Sequence, residues 1–325
     1  EKGRVKLEAK SSATIEAKAT AASVAISASF DKAVGLSGGG AEAVNIIGSN
    51  TNTYIQDSTV TSRGDVLLDA RNHSAIEAYV YAVSGSVGIG SNFGAAAAIG
   101  ASVAHNFIGY DEDGHKLSDG AQVRAYIKSS TVTASEGALS QRAIAQQSIY
   151  AEVGAGAVAI SGSASGATVS LSGAGVSAVN KVAIDIKAYI DGATSHTITT
   201  DAITLSATDI SDITSIGGAG SIAVSVAPAG LSVSVAIGVA LAENSINNVV
   251  EAYIINVPTV TAGGSIKITA TEAATIDATT IAVALAVGVS ASGFGIGLSG
   301  AGANATNIIN NQVHAFIKDS GTVKA

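Results

Sequence analysis

Cysteine, methionine and tryptophan are absent from this 325-residue chain, and proline occurs only at Pro228 and Pro258. Without cysteine there is no disulfide scaffold, no thiolate metal site and no thiol nucleophile. The same absence fits export, because unpaired thiols are a liability outside the cell. Charge is also scarce. Charged residues make up 13% of the chain and the mean hydropathy is +0.41, whereas a soluble globular domain is about one-quarter charged. The 17 Lys and Arg are scattered, form no stripe and are outnumbered by 25 Asp and Glu, for a net charge of −8. That balance argues against a nucleic-acid partner. No basic start followed by an apolar core is present, so any export signal is expected to lie outside this stretch. Aromatic residues are 4%, while 37 glycines join abundant Ala, Ser, Thr and Val. Such a composition points to close packing of small side chains and not to a core of large ones.

What is present is one phrase written five times. It reads TYIQDSTVTSRGDVLLDA (53–70), AYIKSSTVTASEGALSQRA (125–143), AYIDGATSHTITTDAITLSA (188–207) and AYIINVPTVTAGGSIKITA (252–270), with a last partial copy AFIKDSGTVKA (315–325). Its aromatics, Tyr54, Tyr126, Tyr189, Tyr253 and Phe316, lie 72, 63, 64 and 63 residues apart. The C-terminal TVKA joined to the N-terminal EKGRVKLEA reproduces TVTASEGALSQRA (131–143). Five units follow, 1–62, 63–134, 135–200, 201–262 and 263–325, as one continuous array. Repeats of this length are single supersecondary units that bury their apolar faces only by stacking.

Each unit has a wet part and a dry part. In the wet part Val5/Leu7, Val66/Leu68, Ile203/Leu205 and Ile266/Ile268 alternate with polar residues, the signature of half-buried strands. Gly3, Gly64, Gly137 and Gly264 precede them as corners. The dry part is uncharged over 78–110, 153–180, 213–242 and 278–317. These runs are long enough for a membrane helix, but their pattern is that of strands. Leu231, Val233, Val235, Ile237, Val239 and Leu241 occupy every second position, as do Ile281, Val283, Leu285, Val287 and Val289. The reading is a long hairpin with one bulky face and one Ala/Gly/Ser face, both requiring cover. Repeat one, with Asp31, Lys32 and Glu42 in its hairpin, is expected to be more exposed.

Asn45, Asn180, Asn244 and Asn307 lie nine residues before their aromatics, and Asn106 lies twenty before Tyr126. The excess matches an insertion at about 109–120, read as a surface excursion whose removal would leave the fold intact. In stacked units these residues should form an asparagine ladder and an aromatic ladder; a glycan-docking row of tyrosines is the alternative for the latter. Within the insertion, Asp111, Asp113 and Gly114 resemble the start of a calcium loop, but its closing glutamate would fall near Arg124 and is missing. The five histidines occupy different repeat phases, no HExxH or GxSxG pattern appears, and the GxGxxG-like stretches lead into no helix. No catalysis, cofactor or metal is expected.

The units TVTAGGSIKITA and STVTSRGDVLLDA resemble the repeats of large secreted bacterial adhesins of the filamentous haemagglutinin and fusobacterial leukotoxin kind. That resemblance covers the whole chain and implies a right-handed parallel β-helix on an exported, surface-attached fibre. The expected fold is therefore all-β, a repetitive parallel β-solenoid with long apolar hairpins. The alternative is an antiparallel meander, because 264–289 and 294–319 are equal arms around a tight turn. The expected function is a non-catalytic segment of an extracellular fibre, stalk or filament that self-associates end to end. An adhesin segment binding surfaces or glycans is the first alternative, and a membrane-inserting β-hairpin toxin is the second. Expected partners are copies of the chain or adjacent repeats, with cell-surface glycans or proteins next; neither nucleic acid nor membrane is expected.

Overall fold

The computed structural model describes residues 3–117, 121–193 and 195–325. In the first coil the chain forms β1 (Val5–Ser29), β2 (Lys32–Ile47), β3 (Asn50–Gln56) and β4 (Thr59–Ser62). Equivalent strands recur in four further coils, and each pairs in parallel with its counterparts in adjacent coils, giving four five-stranded sheets. The register does not slip: Val5 pairs with Val66 and Ser29 with Gly90 at the two ends of the long strand. Every strand pair is parallel, and the isolated bridge Tyr110–Lys116 is the antiparallel exception among the described residues. The fold is thus a parallel β-solenoid and the meander is excluded.

The expected hairpins are arches instead. β1 and β2 are joined by a tight turn but lie in different sheets, face to face. Their backbone N–H and C=O groups are already paired with the coils above and below, so none is left for the neighbouring arm.

One coil has a body and a wing. In the body, the first half of the long sheet, together with the β3 and β4 sheets, encloses an aliphatic core that includes Leu68, Ile127, Leu139, Ile186, Ile190 and Leu205. Two details set its corners. A left-handed residue follows the β3 strand of each coil (Asp57, Ser129, Ala193, Asn256 and Asp319, φ 46–57°). The corner before the long strand is so tight that a Cβ on Gly137 would lie 2.2 Å from the Gly64 carbonyl carbon.

The wing is the far half of the long sheet packed on the β2 sheet. Its inner faces are small: Ala96, Ala98, Ala157, Ala159, Ala219, Ala223 and Ala240 are buried there. Both sheets approach to glycine contact, since a Cβ on Gly88 would sit 1.8 Å from the Ala95 oxygen and one on Gly94 2.2 Å from the Gly162 oxygen. Serine hydroxyls stitch the layers. Ser102 donates to the Gly154 carbonyl at 2.7 Å, Ser172 to Ala157 at 2.8 Å and Ser234 to Val287 at 2.8 Å. The small face is therefore covered within the chain. The bulky face is not: Val83, Ile89, Ile237, Leu285 and Leu298 point outward and are exposed.

Candidate functional site

Parallel in-register stacking repeats every side chain at the strand spacing of roughly 4.8 Å, so similar residues accumulate into columns. The five aromatics form one column on the outer face of the β3 sheet. Centroids are 5.2 Å apart for Tyr54–Tyr126 and 4.9 Å for each later pair through Phe316, with interplanar angles of 4–12°. Burial between neighbours pushes the Tyr189 hydroxyl up to about 12 and raises Tyr253 further. Because the rings lie flat on one another, their faces are used internally, and open faces remain only on Tyr54 and Phe316. A sugar stacking on the ring faces of this column would find just those two places.

The asparagines form a second column, inside the molecule. Asn45 Nδ2 donates to Asn106 Oδ1, Asn106 to Asn180, Asn180 to Asn244 and Asn244 to Asn307, each at 2.8 Å. Asn106, Asn180 and Asn244 are fully buried. All the amides point the same way, so the column has a direction. It begins with the Asn45 Oδ1 acceptor and ends with the Asn307 Nδ2 donor.

Beside the aromatics runs a row of charges that the sequence reading did not single out. Arg124 pairs with Asp185, Lys187 bridges Asp185 at 3.1 Å and Glu251 at 3.0 Å, and His314 meets Glu251 at 3.4 Å. The residues two before each aromatic would have revealed it once the stacking register was known. A buried polar cluster was also missed. Gln147 donates to Asn72 at 3.0 Å, and Asp209 accepts from Asn248 at 2.7 Å and from Ser211 at 2.9 Å. Burial pushes the Asp209 carboxyl up to about 6, with those hydrogen bonds opposing the shift and Glu272, its pairing partner in the next coil, adding to it. Gln141 lies fully buried between Leu68 and Leu205 with both side-chain polar atoms unpaired, and nothing in the structure explains it.

The insertion differs from the expectation at its root. Asp111, Asp113 and His115 come together with ligand atoms within 4.8 Å of one another. Asp111 Oδ1 accepts the backbone N–H of Asp113 at 3.1 Å and of His115 at 2.8 Å, so this carboxylate builds the turn itself. Tyr110, however, is buried against Phe107 and accepts a hydrogen bond from Asn247, two coils away, at 3.0 Å. That anchor means the segment is not a free excursion. Residues 118–120 lie outside the described residues. His73, His105, His196 and His314 do not join this group.

Comparison with family models, curated proteins and solved structures gave no match.

Proposed function

We propose that this chain is a structural segment of an extracellular, surface-attached fibre or stalk, non-catalytic, whose coils continue end to end. The observation that carries this reading is the pair of open columns. At one end Tyr54 presents a ring face and Asn45 an unfilled acceptor; at the other Phe316 presents a ring face and Asn307 an unfilled donor. The two ends are complementary in polarity, and every strand of the end coils has one unpaired edge, which templates pairing with more chain. A contact of this head-to-tail kind never closes on itself and so builds a filament. The next coil is supplied either by adjacent repeats of a longer chain or by another copy. The resemblance to secreted adhesin repeats and the absence of cysteine support the extracellular placement.

Light scattering and electron microscopy of the 325-residue segment test this directly. Filaments that lengthen with concentration, with a fibre reflection near ~4.8 Å, are the expected result. A monodisperse monomer at high concentration would overturn it.

A further inference from the structure

The outward face of the β2 sheet carries glycine at positions where the chain itself does not need it. A Cβ added to Gly38, Gly40, Gly173, Gly175, Gly300 or Gly302 would meet nothing within 4 Å, and none has a positive φ. Glycine weakens a strand interior, and where the chain's own packing does not demand it, it marks close approach by something else.

The pattern around these glycines says what approaches. Along one outward column stand Leu36, Ala97, Leu171, Val235 and Leu298; two residues further along each strand stand Gly38, Ile99, Gly173, Ile237 and Gly300. In coils one, three and five the large residue comes first and glycine second. Coil two reverses this, with Ala97 before Ile99. A two-fold axis parallel to the rod, passing between these columns, sets each column of one copy against the other column of its partner. Leucine then faces glycine in three coils and alanine faces isoleucine in the second. In the fourth, Val235 faces Ile237 and Val233 faces Val239, so that coil meets its copy with large side chains on both sides.

The same axis matches the flanking columns. Val34, Val169 and Ile296 fall opposite Gly40, Gly175 and Gly302, while Ala95 meets Ala101. One step further out, Lys32 falls opposite Glu42. These are the only charged residues among the outward positions of the six columns, and neither has an ion-pair partner among the described residues. From Lys32 to Glu42 the face spans about 36 Å by about 24 Å, or roughly 870 Å² per copy, from strand rise and spacing. That equals the share each partner buries in a standard interface, about 800 Å².

We propose that two copies of this chain pair side by side through this face. The rods run parallel and in register about a two-fold axis along the rod. In coils one, two, three and five the leucine and isoleucine side chains of each copy fill the glycine and alanine gaps of the other, and Lys32 of each pairs with Glu42 of the other. The proposal does not rest on end-to-end growth: stacking sets the last coil against a first coil and cannot bring together two residues that both lie in the first.

A zero-length carbodiimide cross-link between Lys32 and Glu42 is the test. Within one chain these side chains are about 33 Å apart along the strand, so such a link forms only between copies. Mixing unlabelled and ¹⁵N-labelled chains should give a mixed 32–42 peptide pair by mass spectrometry. Lys32→Glu should abolish dimer in sedimentation and Lys32→Glu with Glu42→Lys should restore it. Gly173→Leu should weaken pairing by about tenfold or more without moving the melting temperature of the fold. Adding Leu171→Gly, which keeps a large residue facing a gap, should recover it. Absence of the 32–42 link, pairing indifferent to Gly173→Leu, or flotation of unpaired chain with phosphatidylcholine vesicles would each overturn the proposal.

Discussion

The asparagine column offers the sharpest test of the internal architecture. Asn180 is fully buried, accepts from Asn106 and donates to Asn244, both at 2.8 Å. Asn180→Ala removes both bonds and strands a donor on Asn106 and an acceptor on Asn244 in a dry interior. Each stranded group costs about 1–3 kcal/mol, so the sum is about 2–6 kcal/mol. Asn307→Ala removes one bond at the open end, where the Asn307 side chain is exposed and water can take its place, and should cost no more than about 1.5 kcal/mol. Urea unfolding followed by circular dichroism, with all variants fitted to a common slope, measures the difference. Asn180→Asp should also be costly at neutral pH, because a carboxylate cannot donate to the Asn244 carbonyl oxygen. Equal costs for Asn180→Ala and Asn307→Ala would refute the claim that the column is a dry, directional hydrogen-bond chain.

Three other expectations follow from the same geometry. Ala223→Leu on the inner face of the wing should cost about 1–3 kcal/mol or more through overpacking, read as a lower melting temperature; an unchanged melt would mean the two layers are not in contact. The Asp209 carboxyl is held at about 6 against an ordinary 3.8, so the folded state binds its proton more tightly than the unfolded state. The contribution of Asp209 to stability should then be greatest below about pH 4 and be lost as pH rises through 6, by about 2–3 kcal/mol; comparison of the parent with Asp209→Asn in denaturation curves taken from pH 4 to 7.5 isolates that slope. Tyr189→Ala breaks two stacking contacts and should cost about 1–3 kcal/mol, whereas Tyr189→Phe should cost under about 0.5 kcal/mol; the difference in spectrophotometric titration between the parent and Tyr189→Phe should show Tyr189 ionising near pH 12.

Much of this fold was legible in one dimension because a solenoid is nearly one-dimensional. A fixed spacing of Tyr189, Tyr253 and Phe316 and of Asn180, Asn244 and Asn307 is enough to predict columns, since each coil contacts mainly its neighbours. The alternation of Leu231 through Leu241 likewise identified a bulky and a small face from the period of two alone. What alternation cannot say is which face turns inward. The bulky face would ordinarily be buried, yet here two glycine-rich layers approach closely enough to bury the small one, and that depends on both sheets at once.

Strand pairing was equally out of reach of the sequence. Equal arms around a tight turn suit a hairpin and an arch alike, and the choice rests on whether the backbone groups of each arm find partners within the coil or in the coil above. Tyr110 in the insertion was read as part of a solvated loop because its hydrogen-bond partner, Asn247, comes from a coil two further on. The sequence by itself determined the β character, the five-fold repetition and which residues share a column. Only the tertiary structure decided the parallel arches, the inward turn of alanine and glycine, and the outward placement of the face that carries Leu171 and Gly173, because each depends on how two layers pack on one another and on the coils above and below.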